Sequence, residues 1–121
     1  IHMDDRLFLK MNEILKSHKN ICAVTDEVGD FKGVIYVEEL FTEMIKVSER
    51  EEVTARHLIQ PAPAIVYENE DLKVVLQKME QNNVWLLPVV TDQNIYKGFI
   101  SKTAVFNKYR ALLMRQADYM N

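Results

Sequence analysis

Cysteine, glycine and proline are scarce in this chain of 121 residues, numbering one, three and three. The single thiol, Cys22, excludes an internal disulfide and a cysteine-based zinc set, and it fits a reducing compartment. His18 and His57 have no partner at metal-ligand spacing, and surface or satisfied core positions account for both. No apolar run approaches the roughly 20 residues that span a bilayer. An excess of one charge is lacking too. Fifteen Lys and Arg against 18 Asp and Glu leave a formal net charge of -3, and the basic residues are scattered, so no basic stripe tracks a nucleic-acid backbone. Cys22 sits in a strand that reads as buried, and no Ser/His/Asp or Cys/His arrangement can be assembled. Glu49, Glu51 and Glu52 read as a solvated run in a connector. Nothing in this set argues for an enzyme.

What is present is patterned. The chain is 48% hydrophobic and 27% charged, as in an ordinary folded domain or two small repeats sharing a core. Leu7, Met11, Ile14 and Leu15 mark one face of a helix over residues 4–16. The strand "ICAVTDE", the turn "VGDF" and the strand "KGVIYV" read as a hairpin, followed by a helix with Leu40, Phe41, Met44 and Ile45 on one side. Residues 46–53 interrupt the pattern as a charged connector. Pro61 and Pro63 flank Ala62 and impose an extended path. Asn69 is the expected N-cap of a helix bearing Leu72, Val75, Leu76 and Met79. "VWLLPVV", "TDQNIY" and "KGFIS" form a second hairpin, and Ser101 caps a last helix with Val105, Phe106, Tyr109, Leu112 and Leu113. Met11, Met44 and Met79 read as core; Met114 and Met120 lie where the pattern fades. Trp85 and Tyr67 read as core or interface aromatics.

The two halves share one order: helix, strand, turn, strand, helix. "AVTDEVGDFKGVIYVEELF" lies over "VVTDQNIYKGFISKTAVF" with one extra residue in the first turn, sharing Val-Thr-Asp, an aromatic before Lys-Gly, and an apolar-Ile pair. This is an internal repeat, and each unit is too small to bury its own sheet face, so the two are expected to pack against each other.

Those residues resemble the CBS motif, a β-α-β-β-α unit that normally occurs in tandem. "TARHLIQPAPAIVYENEDLKVVLQKM" through "KGFIS" and the following helix covers the motif fully, whereas the first half matches only from its first helix onward. The resemblance implies an α/β fold of two CBS repeats packed about a pseudo-two-fold, the first lacking its N-terminal strand. Residues 1–3 then read as a vector remnant, 4–48 as a partial first motif, 49–115 as the second and 116–121 as a tail. "GFISKTAVFNKYRALL" is further similar to the C-terminal cytoplasmic CBS pairs of bacterial ClC-type chloride channels and transporters.

CBS pairs commonly bind adenine nucleotides through the pattern Gly-apolar-apolar-Ser/Thr-x-x-Asp. In the second unit Gly98-Phe99-Ile100-Ser101 keeps the first part, but Ala104 replaces the aspartate. In the first, Tyr36 takes the hydroxyl position after Gly33-Val34-Ile35, and Glu39 takes the acidic one. Ala64, Ile65 and Pro88 are the places where a base would approach, and Lys102 is within reach of a phosphate. Each has a plain structural role beside this one: Ser101 as helix cap, Lys102 as a solvated lysine, Pro88 and the alanines as packing.

The implied function is that of a cytoplasmic regulatory domain of an inner-membrane ClC-type protein. ATP, ADP or AMP is its regulatory ligand, and no cofactor or metal is otherwise called for. The implied partners are a second copy bound through the CBS helices and the transmembrane channel domain of the parent chain; nucleic acid is not among them. The alternatives are a dimerisation scaffold with degenerate clefts, or the CBS module of another transporter or enzyme.

Overall fold

The computed structural model describes residues 1–17, 20–46 and 53–120, with the side chains of Met44 and of 117–120 left aside. His18, residues 47–52 of the connector with Glu49, Glu51 and Glu52, and the side chains of Met44 and Met120 therefore lie outside the described residues. The chain is α/β and divides into two compact units. The first comprises Ile1–Ala62 with Gln93–Tyr96, the second Pro63–Asp92 with Lys97–Asn121.

In the first unit, β1 (Ile21–Thr25) and β2 (Phe31–Tyr36) pair antiparallel from Ile21↔Tyr36 to Val24↔Gly33, with a register shift before Thr25↔Phe31. The turn between them closes on Asp26, whose Oδ1 accepts the N–H groups of Val28 and Asp30 at 3.0 and 2.9 Å. α2 (Val37–Lys46) follows directly. Leu7, Ile14, Val24, Ile35, Val37, Leu40, Val53 and Ala55 form the core. Burying a leucine such as Leu40 contributes roughly 1.5–3 kcal/mol. Cys22 lies half-buried against this core, short of the burial its strand suggests.

The helix expected over residues 4–16 is shorter. A 3-10 turn spans Leu7–Lys10 and α1 only Met11–Lys16. The Leu7 N–H donates to the Val53 carbonyl at 3.0 Å and the Asp5 carbonyl accepts from Ala55 at 3.1 Å, so an antiparallel bridge claims this backbone before a helix can begin. Leu7 and Ile14 are buried as the pattern requires, whereas Leu15 turns outward. Ahead of the prolines a single turn, α3 (Ala55–Leu58), begins at Thr54, whose N–H donates to His57 Nδ1 at 3.1 Å. His57 is thus a local cap. The chain then extends, and Gln60 pairs with Val34 through two backbone bonds of 2.8 Å.

The second unit holds β3 (Val66–Tyr67), α4 (Leu72–Asn82), β4 (Leu86–Val90), β5 (Tyr96–Ser101) from Lys97 onward, and α5 (Lys102–Met120). Sheet order is β3-β4-β5, with β3 and β4 parallel in the register Val66↔Val89 and Tyr67↔Val90. α4 makes the crossover that a parallel pair needs. Its N-cap is Asp71, not Asn69. Asp71 is extended and its Oδ1 accepts the Lys73 N–H at 2.8 Å, while Asn69 lies two residues too early to reach the first turn. Asn83 ends the helix in the left-handed region, φ 51°. Val66, Val75, Met79, Leu87 and Val105 form the core. Beyond Val105, the apolar residues Phe106, Tyr109, Leu112, Leu113 and Met114 of α5 are exposed.

Candidate functional site

Five of the seven candidate residues belong to the second unit. Ala64 and Ile65 lead into β3, Pro88 lies fully buried in β4, and Ser101 and Lys102 stand where β5 becomes α5. One residue upstream of the Val66↔Val89 pair on each strand stand Ile65 and Pro88, so the sheet brings them to one level. Ala64 packs against the core. Tyr36 and Glu39 belong to the first unit, at the end of β2 and in the first turn of α2.

Ser101 Oγ accepts the Ala104 N–H at 3.1 Å. The hydroxyl therefore caps α5, and its proton remains available to donate. Ala104, the residue in place of the family's aspartate, contributes to that cap through its backbone.

Lys102 is committed elsewhere. Its Nζ lies 2.8 Å from Glu80 Oε1 and 5.0 Å from the centre of the Trp85 ring, and its side chain is only 14% exposed. Its N–H also donates to the Trp85 carbonyl at 2.8 Å. Trp85 is itself 64% exposed, so the indole lies on the surface of the unit and serves as a platform for the ammonium. Tyr67, 45% exposed, stands likewise under Lys78, 5.4 Å from the ring centre.

The two repeated glycines differ in their surroundings. Gly33 (φ +155°) is buried, and a Cβ there would meet the Gln60 carbonyl at 2.6 Å and Ile59 Cγ1 at 2.8 Å. Gly98 (φ +138°) is open: a Cβ would meet nothing within 4 Å among the described residues. Bare backbone therefore faces open space three residues before the hydroxyl at the start of α5. Backbone amides and the helix dipole make such a start favourable for an anion.

In the first unit Glu39 accepts a hydrogen bond from Gln60 Nε2. Sequence reasoning passed over Gln60, Lys78 and Glu80. Gln60 lies 21 residues from its partner. Lys78 looks like any helix-surface lysine, and no periodicity shows that it reaches the Ile65 carbonyl at 2.7 Å. Glu80 lies in the "KMEQNN" end of α4, far in sequence from Lys102. Among the described residues no group of His, Cys, Asp and Glu could hold a metal ion, and no helix is long and apolar enough to cross a membrane.

Comparison with known proteins gives this arrangement a class. The family model described as CBS domain matches residues 55–111. The structure resembles a CBS domain pair/ACT domain protein from Thermotoga maritima with a TM-score of 0.73 at 18% identity, covering 93% of this chain and 88% of that one. It resembles CBSX2, in a crystal structure in complex with AMP, at 0.71 and 18%, covering 96% and 87%. The soluble part of a magnesium transporter matches at 0.71 and 13%, covering 92% of this chain and 43% of that one. No curated protein matches the sequence. Residues 55–111 match the CBS domain family, and the fold is that of CBS-pair structures.

Proposed function

We propose that the chain is a regulatory CBS module that takes one adenine nucleotide against the second unit, between the open backbone at Gly98 and the hydroxyl of Ser101. The observation that carries this reading is the uncovered face of Gly98 beside a capped helix start. Ile65, half-buried at the entry to β3, offers an apolar surface for a base, with the buried Pro88 at the same level of the neighbouring strand, and Ser101 with the first turn of α5 suits a phosphate. The complex of CBSX2 with AMP supports the ligand class. Lys102 contributes by holding β4 and α4 to the start of α5, through Trp85 and Glu80. Bound nucleotide acts on the parent protein through its difference in affinity for two arrangements of the module.

The finer attachment, to the cytoplasmic side of a ClC-type chloride channel or transporter in the inner membrane, rests on the resemblance of residues 98–113. A soluble transporter domain among the similar structures is compatible with it. A second reading, a dimerisation scaffold with a degenerate cleft, is favoured by Ala104 at the acidic position and by the exposed apolar residues of α5.

Calorimetric titration with ATP, ADP and AMP, set beside melting curves, decides between them. The sensor binds saturably and its melting temperature rises with ligand, since a ligand at a hundred times its Kd stabilises the folded state by about 2.7 kcal/mol. Ser101→Asp keeps a capping oxygen but sets a carboxylate against the phosphate. It should leave the unliganded melting temperature near that of the parent and abolish binding. Absence of heat and of any melting shift at millimolar nucleotide, with stability rising with protein concentration, would establish the scaffold instead.

A further inference from the structure

The first unit carries the same Gly-apolar-Ile element as the second, yet its surroundings are filled by the chain itself. Ile59 and Gln60 lie against Gly33 so closely that no Cβ fits there. Gln60 exchanges both backbone hydrogen bonds with Val34, and its side-chain amide donates to the Glu39 carboxylate. Three groups that could receive a ligand in that unit are thereby spent: the glycine's face, the backbone edge at Val34, and the acid in the first turn of α2. Tyr36, half-buried at the end of β2, replaces the small hydroxyl that Ser101 provides in the second unit. At Gly98 no such cover exists among the described residues.

We infer that Ile59 and Gln60 form a built-in plug, so that the first unit takes no nucleotide and the chain binds one, at the second unit only. Gln60 is the residue that sets this difference. This inference rests on the nucleotide-binding reading above. Its physical basis is a competition that a ligand loses: to reach Glu39 it would have to break a charge-assisted bond and two backbone bonds held within one chain, with no ordering entropy left to recover. In the second unit no described residue closes the face of Gly98 in this way.

Two measurements test the plug separately from the parent reading. Titration with AMP and ATP should give one nucleotide per chain. Glu39→Gln should leave that stoichiometry unchanged and the affinity within about twofold, a difference well below 1.4 kcal/mol. Two nucleotides per chain, or a tenfold loss of affinity in Glu39→Gln, would overturn the inference. The second measurement needs no ligand. Gln60→Glu sets two carboxylates together and should lower the melting temperature, and adding Glu39→Gln should restore it, because the donor and acceptor have then changed places. If the double variant melts no higher than Gln60→Glu alone, the plug contact is not formed and the inference fails. Absence of nucleotide binding in the parent protein together with full restoration would sink the nucleotide reading while leaving the plug in place.

Discussion

Lys78 Nζ stands 2.6 Å from Glu70 Oε2 and 2.7 Å from the Ile65 carbonyl oxygen, tying the middle of α4 to both flanks of β3. Burial pushes the Glu70 carboxyl up. The Lys78 hydrogen bond, the Tyr67 N–H and the ammonium charge together outweigh that and hold it below the ordinary carboxylate value. A carboxylate depressed in the folded state lends stability that is fully present above its unfolded value and is lost as pH falls through the folded one. Lys78→Met should therefore cost about 2 kcal/mol at neutral pH, two charge-assisted bonds being removed from a site where Glu70 is only 18% exposed. The cost should shrink as pH drops below the usual carboxylate range. Urea denaturation at neutral and acid pH checks this; an equal cost at both would show that the ion pair contributes nothing.

The true start of α4 is separable from the expected one. Asp71→Ala removes the side-chain acceptor of the Lys73 N–H and should cost about 1 kcal/mol, while Asn69→Ala should fall within about 0.5 kcal/mol of the parent. Reversal of that order in thermal melts would return the cap to Asn69.

Gly33→Ala and Gly98→Ala impose the same kind of backbone strain in different surroundings. Both should lose about 1 kcal/mol from the positive φ, and Gly33→Ala distinctly more, because its Cβ runs into the Gln60 carbonyl. Gly98→Ala should instead weaken nucleotide binding, its methyl entering the open face. Equal stabilities of the two variants, read by chemical denaturation, would refute the difference between the two surroundings.

The hairpins, α4 and the internal repeat were legible because strand alternation and helical periodicity are local signals, and Val-Thr-Asp followed by Lys-Gly recurs with one extra residue in the first turn. The start of the chain was not. Leu7 suits a helix, but Val53 and Ala55 take up the backbone around it, and no local pattern reports a partner 46 residues away. Leu15 and Ile45 show the converse limit: apolar spacing marks a face without saying where along it the core ends. At the candidate site, the motif Gly98 to Ser101 was readable as residue types, as was the helix cap. The pairing of Glu39 with Gln60 and of Lys102 with Glu80 was hidden, since polar side chains carry no period and meet only after the chain has folded.

Asn94 offers the sharpest test of such a hidden contact. It lies in the turn between β4 and β5, within Gln93–Tyr96 of the first unit, at φ 69°. Its Nδ2 donates to Asp30 Oδ1 at 3.1 Å and to the Phe31 carbonyl at 3.0 Å, and its own carbonyl accepts the Phe31 N–H at 2.9 Å. Asn94→Gly keeps the left-handed backbone and loses the two side-chain bonds, so it should cost about 1–2 kcal/mol. Asn94→Ala loses the same bonds and adds the steric penalty of a Cβ at positive φ, about 1 kcal/mol more. Urea midpoints should therefore fall in the order parent, Asn94→Gly, Asn94→Ala. If Asn94→Gly matches the parent, the side-chain bonds carry no net energy and only the backbone conformation matters. If it matches Asn94→Ala, the left-handed turn is not what selects asparagine here.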